Sequence, residues 1–256
     1  MDVVAGGRRT TLGPACFVAR GGEASVYARD GVAWKIYADA ARTPPEAKLA
    51  ALRALAAPGV VAPIHTVHSP TGERVGLTLP LLDGWSPLVR LFPPAFQKRE
   101  GIDVDAVVAL VDRLRHLVHL AHAGGAVVGD LNEVNVLVRP DWADLALIDV
   151  DSWAIAGFPA TALAESVRDR HAARPSMETD WFAFAVLAFQ LLVGVHPYRG
   201  RHPTARTLDA RMQQDLAVFH PDVVVPPMVD LARLPPGWRG WFEDVLLRRH
   251  RGPPPS

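Results

Sequence analysis

Two polar side chains in the stretch "GDLNEVN" are spaced so that they could bind a metal ion or move a proton. Asp130 and Asn135 stand five residues apart, between the apolar runs "AVV" and "VLV". Apolar flanks of this kind are typical of buried strands or helix ends, so they fix the loop between them. A carboxylate and an amide held in this way could share a metal ion. A tight turn is the alternative, because Gly, Asp and Asn are common turn residues.

A second acidic stretch follows the apolar run "LALI". There Asp149 and Asp151 flank Val150 in "DVD". A carboxylate at a strand end beside a long loop is well placed to hold Mg²⁺, which prefers oxygen ligands and keeps some of its waters. The alternative is a turn that happens to contain two Asp residues.

A lysine and a glycine-bearing turn near the N-terminus could bind an anion. Lys35 lies in the apolar strand pattern "VAWKIY", and a buried ammonium needs a negative partner, for which Glu46 on the following helix is the candidate. An outward-facing lysine on an edge strand is equally compatible with this pattern. Gly21 and Gly22 in "ARGGEASVY" could bring backbone N–H groups against phosphates. An ordinary hairpin turn would also contain such glycines.

The elements that position these residues change in type along the chain. Residues 1–13 are predicted to be a loose lead-in. Strands are predicted at "CFVAR", "ASVYARD", "VAWKIY", "GVVAPIHTV" and "RVGLTLPLL", with one helix at "TPPEAKLAALRALAA". After "LDGWSP" the pattern favours helices at "VDAVVALVDRLRHLVHLAHA", "DWFAFAVLAFQLLV", "ARTLDARMQQDLAVF" and "GWRGWFEDVLLRR". The final "RGPPPS" is expected to be a frayed tail or the start of a linker.

Composition limits the classes of function. The chain has 256 residues, 49% of them hydrophobic, enough for one large domain or for two lobes with a cleft. A formal net charge of zero gives no general attraction to nucleic acid. Cys16 is the only cysteine, which fits a reducing, cytoplasmic compartment, and the N-terminus lacks a signal-peptide pattern. The most apolar window, "WFAFAVLAFQLLVGV", is too short for a membrane span and favours a buried helix.

The order and spacing of these motifs resemble the protein-kinase signature set. "VAWK" resembles the lysine-bearing strand, "GDLNEVN" the second half of the catalytic loop, and "DVD" the Asp-Phe-Gly element. "HAGGAVVGD", "DWFAFAV" and "GVHPYRG" resemble flanking segments, with Asp180 expected to support the loop from below and His122 in a structural position. The resemblance runs from about residue 14 to about residue 250 and is closest to bacterial Ser/Thr-kinase-like proteins.

The resemblance implies an α+β, two-lobed, protein-kinase-like fold. A small β-rich N-lobe with one helix would span 14–82, and a larger, mainly helical C-lobe would span 83–250. The lead-in 1–13 and a tail or linker at 251–256 would flank them.

The resemblance also implies a site for ATP and Mg²⁺ or Mn²⁺. Lys35, held by Glu46, would contact the α- and β-phosphates. Asn135 and Asp149 would bind the metal, and Asp130 would accept the proton of the attacking hydroxyl. The residues implied to cover the phosphates or surround the adenine are Gly21, Gly22, Val26, Ala33, Leu81 and Leu82.

The implied activity is phosphoryl transfer from ATP to Ser or Thr of a protein substrate, whose identity the motifs do not specify. Four departures from the kinase pattern predict a low rate. Ala19 and Ala24 stand where glycines are usual in the Gly-rich loop. Gly129 replaces an arginine, Asn132 a lysine, and Asp151 a glycine. Two alternatives remain open: a nucleotide-binding pseudokinase that acts as a scaffold, and a small-molecule phosphotransferase, which would also carry "GD" followed by "LIDVD".

Overall fold

The computed structural model describes residues 1–255, and its largest element is a seven-stranded antiparallel sheet. Its strands are β1 (Asp2–Ala5), β2 (Arg8–Thr11), β3 (Phe17–Arg20), β4 (Ala24–Arg29), β5 (Val32–Tyr37), β6 (Thr66–His68) and β7 (Arg74–Pro80). Their spatial order is β2-β1-β6-β7-β5-β4-β3. The strand β5, which carries Lys35, therefore lies between β7 and β4 near the middle of the sheet.

Both faces of β5 are covered. Its side chains alternate, as in any strand, so Ala33 and Tyr37 enter the main hydrophobic core while Trp34 and Ile36 enter a second cluster on the opposite face. Val3, from the other side of the sheet, belongs to that second cluster. The sheet is therefore curled, and its N-terminal strands pack across its own outer face.

The first residues form part of this sheet, so the prediction of a loose lead-in is wrong. Strands β1 and β2 pair as a hairpin, and β1 also pairs with β6. The turn between them uses Gly6 and Gly7 with φ of 55° and 75°, a conformation that glycine adopts without strain. Val3 and Leu12 are almost fully buried, and their apolar surface fixes the hairpin against the sheet.

Six α-helices and a small second sheet complete the described residues. The helices are α1 (Glu46–Arg53), α2 (Pro94–Arg99), α3 (Val104–Ala123), α4 (Met177–Val193), α5 (Leu208–Gln213) and α6 (Trp238–Leu246). The second sheet consists of β8 (Ser86–Pro87), β9 (Val136–Val138) and β10 (Leu145–Leu147), in the order β10-β9-β8. Long irregular segments connect these elements, above all between β10 and α4.

Helix α4 is the buried helix that the apolar window predicted. A capping box at Ser176 and Thr179 begins it, and Gly194, with φ of 89°, ends it. Most of its side chains lie in the main core. Within residues 1–255, no helix combines the length and the apolar character that crossing a bilayer requires.

The predicted two-lobed, protein-kinase-like fold with a mainly helical C-lobe is wrong. The seven-stranded curled sheet dominates the molecule, and helices cover only a minority of residues 83–250. Nor does the core divide into lobes, because one cluster joins Leu77 of the sheet to Leu114 of α3 and Phe242 of α6. The periodicity of the sequence predicted correctly that α4 is buried, but it did not determine which elements this helix packs against.

The C-terminal segment contacts the body of the protein. Arg251 forms a bidentate ion pair with Asp169, at 2.7 and 3.1 Å, and both side chains are buried. The indole N–H of Trp241 donates to the carbonyl of Gly252 at 3.0 Å. Arg251 and Gly252 thus differ from the predicted frayed tail or linker.

Candidate functional site

The central feature of the site is an ion cluster that joins β5 to the segment after β10. The Lys35 ammonium donates to Asp149 Oδ1 and, at 2.7 Å, to Asp151 Oδ2. The side chain of Lys35 is 13% exposed and that of Asp151 is 4% exposed, so the pair is shielded from solvent. Charges more than one hundred residues apart in the sequence are therefore brought into direct contact.

Tyr37 is the second group bound to Asp151. Two residues beyond Lys35 on β5, it points to the same face, and its hydroxyl donates to Asp151 Oδ2. Burial raises the pKa of Tyr37, and the negative charge of Asp151 raises it further, so the phenol stays protonated. Asp151 Oδ1 is buried and has no hydrogen-bond partner among the residues that the structure describes.

The electrostatic balance favours a charged Lys35. Burial alone lowers the pKa of this ammonium, but Asp151 and then Asp149 outweigh that effect and hold the pKa above its usual value. The cluster has one more carboxylate than ammonium group, which leaves it able to accept another cation.

Asp149 adopts an unusual backbone conformation. Its φ of 60° and ψ of 29° lie in the left-handed region, which Asp tolerates better than most residues. The backbone N–H and the hydroxyl of Ser152 both bind its carbonyl, at 3.0 and 2.8 Å. A short 3-10 helix, Val150–Ser152, then turns Asp151 back toward Lys35. Non-glycine residues in this region cluster at functional sites, where the surrounding structure maintains the strain.

The loop that carries Asp130 and Asn135 is held by its own side chains. The Asn135 amide donates to Asp130 Oδ2 at 2.8 Å and to the Asp130 carbonyl at 3.1 Å. Asn132 is buried, and its oxygen accepts from the backbone N–H groups of Val134 and Asn135. This asparagine therefore shapes the loop from within.

Asp130 has properties that suit a proton acceptor. Burial raises its pKa, and the nearby negative charge of Asp149 raises it further, against the hydrogen bonds from Asn132 and Asn135. Its Oδ1 is buried with no hydrogen-bond partner in the part of the chain that the structure describes. A backbone bond from Ile148 to Asn135, at 2.9 Å, fixes this loop to the strand that leads into Asp149.

Asp180 anchors the same loop from below, as the sequence motif predicted. Its carboxylate accepts from the backbone N–H groups of Val128 and Gly129, both at 2.8 Å, and lies 2.9 Å from His122 Nε2. The Asp180 side chain is 1% exposed. The position of Asp130 therefore depends on a buried charge at the N-terminal end of α4.

The predicted ion pair between Lys35 and Glu46 is absent. Glu46 is exposed and binds Arg53 Nη1 and Thr66 Oγ1, each at 2.5 Å. Successive helical residues are about 100° apart around the axis, so the residue two positions after Glu46 faces nearly the opposite way. That residue is Lys48, which is buried and lines the cavity next to Lys35.

The residues predicted to surround a nucleotide lie near Lys35 in part. Val26 is directly opposite Lys35 in the β4–β5 register. Ala33 precedes Lys35 by two residues and lies on the same face of β5. Leu81 and Leu82 follow β7 and pack, half-buried, against the main core.

The glycines lie in the turn between β3 and β4. The N–H of Gly21 bonds to the carbonyl of Ala24 at 2.8 Å, which is the hydrogen bond of an ordinary hairpin, and Gly22 is exposed. The nucleotide-binding roles of these two glycines and of Val26, Ala33, Leu81 and Leu82 stay predictions.

The donors around Asp149 fit a hard cation only in combination with other oxygens. Across residues 1–255, no three His, Cys, Asp or Glu side chains form a group able to hold a metal ion. Mg²⁺ commonly binds through one or two carboxylates, with waters and phosphate oxygens completing the shell. The unpartnered buried oxygens of Asp130 and Asp151 are compatible with such a shell. The metal-binding roles of Asn135 and Asp149 stay predictions.

Sequence reasoning missed two residues of the site, Tyr37 and Lys48, and gave a third, Asp151, no role in it. Tyr37 could have been found from its position two residues after Lys35, on the same face of the strand. Asp151 was treated as a replacement for a glycine, although Asp149, two residues before it, was already chosen as a metal ligand. Lys48 carried no signal, because its orientation depends on where α1 begins.

The comparisons with known proteins give limited support for a relationship. No protein-family model matches this chain. Protein kinase C-like 2 of Schizosaccharomyces pombe (strain 972 / ATCC 24843) is 27% identical to it over 140 residues, which are 51% of this chain and 13% of that protein. The chain thus corresponds to a small part of this relative. The similarity indicates a distant relationship to a kinase-named protein.

Proposed function

We propose that this protein binds ATP with Mg²⁺ and transfers a phosphoryl group to a hydroxyl, that of Ser or Thr in a protein being the preferred acceptor. The observation that carries the proposal is the shielded contact of Lys35 with Asp149 and Asp151, beside a loop that presents Asp130 and Asn135. Phosphoryl transfer depends mainly on positioning and on neutralisation of charge. A cation, several carboxylates and a separate proton acceptor are the groups it requires.

The proposed roles follow from the charges. Lys35 contacts the phosphates, while Asp149 and Asn135 are the metal ligands. Mg²⁺, when bound, neutralises the charge that develops on the phosphate oxygens. Asp130 orients the attacking hydroxyl and accepts its proton, and its raised pKa makes it a better base than an exposed aspartate.

Because Lys35 is paired with two carboxylates, a phosphate that binds Lys35 has to replace a carboxylate as its partner. A phosphate that approaches Lys35 meets an ammonium already bound to Asp149 and Asp151. Nucleotide and metal together supply both signs of charge, so the ammonium can turn to phosphate while a carboxylate turns to the metal. We therefore expect ATP to bind much more tightly with Mg²⁺ than without it.

The test combines calorimetry with transfer of labelled phosphate from ATP to generic protein acceptors. Asp130→Asn should leave nucleotide affinity unchanged and reduce transfer by about 10²–10⁴-fold, the usual contribution of a positioned acid–base group. Asp149→Asn should reduce both Mg²⁺-dependent binding and transfer. Asp222→Asn, an exposed carboxylate outside the site, is the matched control and should change neither.

The outcomes separate the proposal from its alternatives. Label on small amines or alcohols, with none on protein, would identify a small-molecule phosphotransferase. Binding of ATP without transfer would identify a nucleotide-binding scaffold. The ion pairs of Lys35 with Asp149 and Asp151 would then explain the lack of transfer. If wild-type protein fails to bind ATP with Mg²⁺, the proposal is refuted.

A further inference from the structure

A cavity of about 430 Å³ lies beside Lys35. Helix α1 and the segment before it form one wall, and residues 149–161 form another. Lys35, Tyr37, Arg42, Lys48, Asp151 and Phe158 are among the residues that line it. Its volume lies within the range of small-molecule sites. The residues that the motifs assign to the adenine do not line this cavity.

Lys48 is the unusual member of this lining. It is 3% exposed, yet it forms no hydrogen bond or ion pair with any residue of the described chain. Burial lowers the pKa of its ammonium, the positive charge of Lys35 lowers it further, and the charges of Asp151 and Asp149 only partly offset these effects. The Lys48 ammonium is not among the fully buried atoms that lack a partner, so it faces the open space of the cavity, where an anionic ligand would supply the opposite charge.

The other cations of the lining already have partners. Lys35 is bound by Asp149 and Asp151, and Arg42 pairs with Glu23 at 2.6 Å. An anion that entered the cavity would compete with those carboxylates for either cation. It could bind Lys48 without displacing anything.

We propose that Lys48 is a second phosphate-binding cation, which contacts the phosphate chain of the nucleotide from the α1 side of the cavity. This inference rests on the proposed function for the identity of the ligand. Phosphate oxygens fit the lining because the hydroxyl of Thr161 is also present there as a donor. The carboxylates of the lining would repel a bare anion, so the phosphate enters together with Mg²⁺, which the carboxylates attract.

The experiment measures binding of inorganic pyrophosphate with Mg²⁺, and of ATP with Mg²⁺, by calorimetry. Lys48→Met should weaken both by roughly 10- to 100-fold, the usual range for loss of one charge-assisted contact. Lys98→Met is the matched control, since Lys98 is exposed and lies outside the cavity, and it should bind as the wild type does. Lys48→Gln, measured in the same way, provides a second variant if the methionine variant does not fold.

The melting temperature without ligand distinguishes a ligand-binding role of Lys48 from a structural one. Removal of an unpaired buried charge should leave the melting temperature unchanged or higher, whereas removal of a structural ion pair would lower it. A lower melting temperature for both variants would contradict the inference.

The outcomes for the inference and for the proposed function are distinct. If Lys48→Met binds ATP and pyrophosphate as the wild type does, the inference is refuted and the proposed function is unaffected. If the wild type binds pyrophosphate through Lys48 but does not bind ATP, the phosphate site stands and the proposed function fails. Failure of the wild type to bind either ligand refutes both.

Discussion

Replacement of Asp180 by alanine should destabilise the fold and displace the proton acceptor of the site. The carboxylate is 1% exposed and accepts hydrogen bonds from two backbone N–H groups. It also lies within hydrogen-bond distance of His122 Nε2. Alanine cannot accept a hydrogen bond, so the N–H groups of Val128 and Gly129 would be left without a partner next to the core. Both donate to Asp180 at 2.8 Å, close to the ideal distance.

The magnitude follows from these contacts. An unpaired buried donor costs about 1–3 kcal/mol, and two of them are created together. Partial access of water to Gly129 reduces this cost, whereas loss of the His122 contact adds to it. We therefore expect Asp180→Ala to lower the free energy of unfolding by about 3–5 kcal/mol.

Urea denaturation followed by tryptophan fluorescence measures this change, because Trp181 lies beside the substituted residue in the core. Asp222→Ala provides the control, since its carboxylate is 70% exposed, and its unfolding curve should match that of the wild type. Asp180→Asn should fall between the two, because its amide can accept one of the N–H groups but presents an NH₂ to the other. A loss below about 1 kcal/mol for Asp180→Ala would refute the assignment of this carboxylate as the anchor of the loop.

Three further predictions concern stability. Burial lowers the pKa of His196 to about 4, so the unfolded chain binds one more proton than the folded chain between pH 6.5 and pH 4. The free energy of unfolding should therefore fall by up to about 3 kcal/mol as the pH drops through that window. Urea titrations at pH 7 and pH 4.5 measure this loss, and His196→Gln should abolish it. Gly129 has φ of 71°, so Gly129→Ala should cost about 1–2 kcal/mol by the same assay, while Gly252→Ala, which has open space and an ordinary φ, should not change stability. Arg251→Met leaves the buried carboxylate of Asp169 unpaired and should cost about 3–5 kcal/mol at pH 7; equal stability of variant and wild type would contradict a structural role for the C-terminal segment.

The flanking apolar runs of the polar residues could be predicted from the sequence, whereas the architecture around them could not. Asp130, Asn135 and Asp149 were selected because each follows or precedes a buried apolar run, and such runs do hold them in place. The contact between Lys35 and Asp149 could not be derived from the residues alone, because nothing local relates two segments so far apart in sequence. Only the resemblance to a motif series placed them together.

The errors have specific physical causes. Glu46 was chosen as the neighbour of Lys35 because opposite charges attract, whereas its orientation is determined by where α1 begins after Pro44 and Pro45. The two-lobed fold was wrong because the apolar periodicity of α4 shows that this helix is buried but not what covers it. One continuous core covers it here. The hairpin at the N-terminus was missed because its strands, "DVVA" and "RRTT", are short and half polar.

That hairpin also changes the chemical character of one edge of the sheet. Without it, β6 would expose its unpaired backbone groups, and Trp34 and Ile36 would lose part of their cover. An open edge beside an apolar surface is a template on which other chains can add strands and aggregate. With the hairpin in place, the outermost strand carries Arg8 and Arg9, both exposed, and charged edges of this kind repel further pairing. The first residues of the chain thus close this edge of the sheet to the addition of further strands.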